Sequence, residues 1–174
     1  ILEKSDFLRT SVMYEMGKIW EGTQEDLDML TGSLEFYSQE IVKITPEIIE
    51  DRQGTHTHNI VSQPLGVAIA FLAYNFPLLN VGYIIGPALA AGCSIIIKPA
   101  AVSPLSAHLI GEICAEINFP SGVLTVLSGG LNDVGIPLCE SKIPRLLTMI
   151  GSTQTAQSLI AQSSKTSIKR YSME

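Results

Sequence analysis

Residues 63–104 read QPLGVAIAFLAYNFPLLNVGYIIGPALAAGCSIIIKPAAVSP, and the order of apolar and chain-breaking residues in this stretch decides the fold. A short apolar run at 66–71 (GVAIAF) leads to an Asn75-Phe76-Pro77 turn and an apolar helix, and a β-branched run at 94–98 (SIIIK) then ends at Lys98-Pro99. No Asp, Glu, Lys or Arg occurs from Gln53 to Ile97. A membrane-spanning helix needs roughly 20 uninterrupted apolar residues. Pro64, Pro77 and Pro87, with Asn75 and Asn80, cut this run into shorter pieces. Strands covered by helices on both faces, as in a parallel sheet, explain such apolar continuity without a membrane.

Similar runs recur downstream at 122–127 (GVLTVL), 145–150 (RLLTMI) and 167–173 (SIKRYSM). The five starts lie 28, 28, 23 and 22 residues apart, and each interval holds a helical pattern. Leu105, Leu109, Ile110, Ile113 and Ile117 mark one helix face, with Ser103 as the expected N-cap and Pro104 at the first helical position. Strand then helix at this period predicts right-handed crossovers and an α/β, doubly wound parallel sheet. Sheets of this kind bind ligands outside the carboxyl ends of their strands. Those ends carry Ala73-Tyr74-Asn75, Lys98-Pro99-Ala100, Ser128-Gly129-Gly130, Gly151-Ser152-Thr153 and Glu174.

Working toward the amino terminus, residues 49–63 read as an extended linker or hairpin, because Thr55, Thr57, Ile60 and Val61 favour strands and Gly54 permits a turn. His56 and His58 are placed on one strand face, where two ligands alone do not make a metal site and an exposed polar strand is the plainer reading. Residues 1–48 form a helical lead-in packed on the 64–174 domain. Phe7, Leu8, Val12, Met13, Met16, Ile19 and Trp20 supply the apolar face of a first helix. Gly22-Thr23 is expected to break it, with Thr23 as N-cap of a second helix whose buried face is Leu27, Leu30, Leu34, Tyr37 and Ile41. His108 falls on the polar side of its helix and is given no function.

A chain of 174 residues can bury one α/β core with an appendage. A net charge of -6 with no basic stripe excludes nucleic acid as a partner. Cys93, Cys114 and Cys139 are widely spaced and odd in number, which fits a reducing, cytoplasmic setting rather than a disulfide or zinc framework. The chain opens without Met and without a charged-then-apolar leader, so it shows no signal peptide and reads as cut at that end.

The motifs P-x-G-V at 64–67, N-F-P at 75–77, K-P at 98–99, the segment YEMGKIW and the turn IGSTQTA resemble the cofactor domain of the aldehyde dehydrogenase superfamily. That family lacks G-x-G-x-x-G, as this chain does, and uses a G-S-T turn whose following helix faces the cofactor pyrophosphate. The resemblance implies NAD or NADP as cofactor, held by Lys98 at the adenosine ribose with Pro99, Ala100 and Ala101, by Gly129, by Gly151, Ser152 and Thr153 at the pyrophosphate, and by Ala73, Tyr74 and Asn75. Many NAD-using members carry Glu where this chain has Ala101, and loss of that carboxylate admits a 2'-phosphate. Asn75 is implied as oxyanion donor, with Tyr74 in place of the usual Trp, and Glu174 as general base. The nucleophilic cysteine lies beyond that Glu in the family. Cys93, Cys114 and Cys139 all precede it, so the chain is expected to be an amino-terminal fragment, inactive alone.

The implied reaction of the parent is oxidation of a small-molecule aldehyde, such as succinate semialdehyde, to the acid. The parent is expected to be a homo-oligomer. Two alternatives stay open, an acylating relative that uses coenzyme A and a non-catalytic dinucleotide-binding or assembly module. Met149, Ile150 and Ala156 depart from the commoner Phe, Thr and Gly and enlarge apolar contacts near the cofactor.

Overall fold

In the computed structural model, which describes residues 1–174, the five apolar runs become five parallel strands. They are β3 (Val67–Phe71), β4 (Ser94–Lys98), β5 (Leu124–Val126), β6 (Leu146–Met149) and β7 (Arg170–Met173), ordered β5-β4-β3-β6-β7. The chain begins in the middle, steps outward twice to one edge, then returns to the other side of β3. Helices α3 (Pro77–Ala90), α4 (Leu105–Glu116), α5 (Ile136–Glu140) and α6 (Thr153–Ser164) make the crossovers. The lead-in contributes α1 (Ser5–Met16) and α2 (Trp20–Glu40), and an antiparallel hairpin pairs β1 (Glu47–Glu50) with β2 (Thr57–Ile60).

The period of two along each strand divides the core into two layers. Ala68, Ala70, Ile95 and Ile97 face a core shared with Leu8, Val12, Leu27 and Leu30 of the lead-in and with α3 and α4. Ile69, Phe71, Leu147 and Met149 face the other core, with Cys139 of α5 and Ala156 and Leu159 of α6. Both sheet faces are therefore covered, which is why β3 and β4 read as unbroken apolar sequence. No helix is long and apolar enough to cross a membrane.

The lead-in differs from expectation in its break. Helix α1 ends at Gly17, whose φ of +66° only glycine adopts without strain and whose N–H closes the helix on Met13 O at 2.8 Å. Gly22 and Thr23 lie inside α2. Thr23 is fully buried, and its hydroxyl donates to Trp20 O at 2.6 Å while accepting from Arg9 Nε at 3.1 Å. Tertiary contact with α1 thus outweighs the roughly 1 kcal/mol helix penalty of Gly22. Only Leu8 and Val12 of the first apolar set are buried; Phe7 and Ile19 are exposed.

A second correction concerns α4. Ser103 does not cap it; the Ser103 hydroxyl is buried without a partner. The cap comes from Glu15 on α1, whose carboxylate accepts from Leu105 N–H, from Ser106 N–H at 3.0 Å and from Ser106 Oγ at 2.6 Å. An anion at a helix amino end satisfies orphan N–H groups and complements the dipole. Glu15→Ala should therefore lower the unfolding free energy by about 1–2 kcal/mol in urea denaturation.

In the hairpin, Asp51 accepts from Thr55 N–H at 2.7 Å, His56 N–H at 3.1 Å and Thr55 Oγ1 at 2.8 Å, which holds its carboxyl below the ordinary range. His56 belongs to this turn, not to β2, so it does not share a strand face with His58.

Candidate active site

The carboxyl ends of four neighbouring strands are tied into one row. Leu72 N–H donates to Lys98 O (3.1 Å), Ile150 N–H to Phe71 O (3.0 Å), Glu174 N–H to Met149 O (2.9 Å) and Gly151 N–H to Glu174 O (2.9 Å). Residues 76 positions apart in sequence, Asn75 and Gly151, thereby meet at the point where strand order reverses between β3 and β6. Around it opens a cleft of roughly 690 Å³ whose walls include Asn75, Lys98, Gly151, Ser152 and Glu174.

Each wall has a local cause. Lys98 closes β4, and Pro99 turns the chain out of the sheet, leaving the ammonium one long contact, 3.5 Å to Pro99 O. Ser152 caps α6, accepting from Thr155 N–H at 3.2 Å, so the amino end of this 12-residue helix opens on the cleft. Asn75 and Tyr74 are exposed on the turn before α3, and Ala73 and Ala100 complete the rim with Pro99. Three expected residues do not line this cleft. Ala101 is exposed one residue past the rim, Thr153 begins α6, and Gly129 follows the edge strand β5, two strands away from the reversal point.

A second cavity, of roughly 530 Å³, shares Met149, Ile150 and Glu174 with the first. Met29, Phe36 and Tyr37 of α2 and Tyr83 and Ile84 of α3 make its apolar wall. Those residues were legible only as helix-face positions. An aromatic pair at 36 and 37 with Tyr83 in the helix after N-F-P was the available signal.

Neither Cys114 nor Cys139 is an activated thiol. Cys139 is fully buried, and burial pushes its thiol up to about 11; burial also raises Cys114. A thiol whose folded pKa exceeds its unfolded value of 9.0 contributes nothing below that value and destabilises as pH rises from 9.0 toward about 11. The loss approaches about 1.4 kcal/mol per pH unit inside that window. Thermal unfolding of Cys139→Ala and the unmodified protein should therefore fall less steeply for the variant between those pH values.

A parallel sheet in this order, with a helix amino end and a lysine at the reversal point, defines a Rossmann-like α/β domain. The match to the aldehyde dehydrogenase family runs over residues 1–174, and the chain belongs to that family. It is 32% identical over 174 residues to glutarate-semialdehyde dehydrogenase of Pseudomonas aeruginosa and 31% identical over 174 residues to the NADP(+) succinate-semialdehyde dehydrogenase of Escherichia coli. Each alignment takes in 100% of this chain and 36% of the relative. The crystal structure of an E. coli NADP-dependent enzyme superposes with a TM-score of 0.94 at 31% identity, over 99% of this chain and 36% of that one. The chain spans 36% of the length of these relatives.

Proposed function

We propose that this chain supplies the cofactor-binding portion of an NAD(P)+-dependent aldehyde dehydrogenase, with residues 64–174 as the dinucleotide-binding domain and residues 1–48 as its buttress. The observation that carries this reading is the meeting of Asn75, Lys98, Gly151, Ser152 and Glu174 around one cleft. The cleft suits a dinucleotide, since Lys98 has donors to spare and a helix amino end favours an anionic pyrophosphate. In this reading Lys98, with Pro99 and Ala100, holds the adenosine ribose, and Ala101 leaves room for a 2'-phosphate. Gly151, Ser152 and Thr153 receive the pyrophosphate, with Ala73 and Tyr74 along the floor and Gly129 farther out. The bound dinucleotide would accept hydride from the substrate. Asn75 would donate its amide to the oxyanion formed on the aldehyde carbon, and Glu174 would take a proton from water.

The second cavity is the natural place for the aldehyde, because it adjoins the cleft at Met149, Ile150 and Glu174 and so brings a substrate beside the expected general base. Semialdehydes are the favoured substrates on the strength of the two curated relatives, and NADP+ the favoured cofactor on Ala101 and the E. coli relative. We place the enzyme in the cytoplasm on its three free cysteines, as a homo-oligomer.

The test is aldehyde-dependent reduction of NAD+ and NADP+ by the full gene product, followed by absorbance over a panel of aldehydes. Reduction that prefers a semialdehyde supports the proposal; none with any aldehyde, with or without coenzyme A, overturns it. Lys98→Ala should weaken dinucleotide binding by about tenfold or more in titration calorimetry while the melting temperature holds, because hydrogen bonds from a charged donor are worth about 1.5–3 kcal/mol.

A further inference from the structure

We propose that Lys18 and Asp26 are positioning residues for Asn75, holding the turn that presents it from both sides. This inference rests on the proposed reading of Asn75 as oxyanion donor. Asp26 lies on α2 with its carboxylate wholly buried. Its Oδ1 accepts from Leu79 N–H at 2.7 Å, and its Oδ2 meets Lys18 Nζ at 3.1 Å. The same ammonium stands 3.4 Å from the centre of the Phe76 ring. Phe76 directly follows Asn75, and Leu79 is the third residue of α3. Asn80, also buried, donates from Nδ2 to Ala73 O at 3.1 Å. Asn75 is therefore strung between fixed points at 73, 76 and 79.

The local sequence does not provide this support. Helix α3 begins with Phe76 at the N-cap position and Pro77 at the first helical position, and no side chain there caps it. A Ser or Asp at position 76 would cap the helix from within. The cap arrives instead from a residue 53 positions earlier, together with a counter-charge aimed by the left-handed turn at Gly17. Burying an ion pair is a poor way to gain stability, because desolvation offsets the attraction. Burial does raise the Asp26 carboxyl above its ordinary range, against the pull of Leu79 N–H and Lys18. What two directed contacts do provide is orientation. A catalytic donor must be held within a fraction of an ångström, and a misplacement of about 1 Å can cost on the order of a hundredfold in rate.

The test uses the full gene product with Asp26→Asn, Lys18→Gln, Asn75→Ala and the double variant Asp26→Asn/Asn75→Ala. Asp26→Asn should lower kcat by about tenfold or more, with KM for aldehyde and affinity for NADP+ within about twofold of the unmodified enzyme. Should Asp26→Asn not fold, Lys18→Gln gives the same readout, and Lys18→Arg should restore kcat because a guanidinium also stacks on Phe76. The double variant should be no slower than Asn75→Ala alone, since Asp26 acts through Asn75. Folded Asp26→Asn or Lys18→Gln enzyme with unchanged kcat, or additive losses in the double variant, overturns the inference while Asn75 keeps its role. Unchanged kcat in Asn75→Ala removes the oxyanion reading itself and this inference with it.

Discussion

Gly82→Ala is expected to lower the unfolding free energy by about 3 kcal/mol, because an added methyl in a tightly packed crossing must displace a helix. A Cβ at this position would lie 2.7 Å from Leu30 Cα and 3.2 Å from Leu30 O, so the obstacle is the backbone of α2, not a side chain free to rotate. Moving α2 disturbs Leu27 and Leu30 in the larger core and the Asp26 cap on α3. Gly86, one turn later, would meet Ser33 Oγ and Tyr37 Cδ2, each at 2.8 Å, and those side chains can give way. Gly32, with nothing within 4 Å of an added Cβ, should gain up to about 1 kcal/mol as alanine from helix propensity alone. Denaturant midpoints for the three variants check the order: 82 far below the unmodified protein, 86 between, 32 above. Equal midpoints for Gly82→Ala and the unmodified protein would mean that the helices cross farther apart than 2.7 Å allows.

Asn75→Ala in the full gene product is the second large effect. If its amide stabilises an oxyanion, kcat should fall by about 10²- to 10³-fold, the loss typical of removing one such donor. The melting temperature should hold, since Asn75 is exposed and its neighbours Ala73, Phe76 and Leu79 keep their own contacts. Dinucleotide affinity should fall far less than kcat, because the Lys98 side of the cleft is untouched. A parallel fall in kcat and in melting temperature would assign Asn75 to the scaffold instead.

The strand-helix-strand unit at 66–98 and the G-S-T turn were legible because buried parallel strands write themselves as continuous apolar runs, ended by residues that cannot continue them. Once those runs are strands of one parallel sheet, Asn75, Lys98, Gly151 and Glu174 must share an edge, whereas the roles proposed for them come from the family resemblance and not from strand order. Gly129 did not follow, because strand order within the sheet, which puts β5 at the rim, is not written in the run spacing. The misplaced caps have a common cause. Thr23 and Ser103 have the right side chains at plausible positions, yet Arg9 occupies one and Glu15 replaces the other. The Asp26 contact to Leu79 and the apolar cavity beside Glu174 depend on how α2 crosses α3, and contacts spanning 53 to 91 residues leave no periodic trace.

The Glu15 cap joins residues 90 positions apart, and this has a meaning during synthesis. A ribosome adding about 5–20 residues per second delivers α1 roughly 5–20 s before the amino end of α4 exists. For much of that interval, until β3 and β4 have been made, Leu8, Val12, Leu27 and Leu30, all later interior, have no sheet to cover them. The nascent lead-in is thus an amphipathic helical pair awaiting its platform, and a chaperone that binds exposed aliphatic helices as they leave the tunnel has its widest opportunity on this part of the chain.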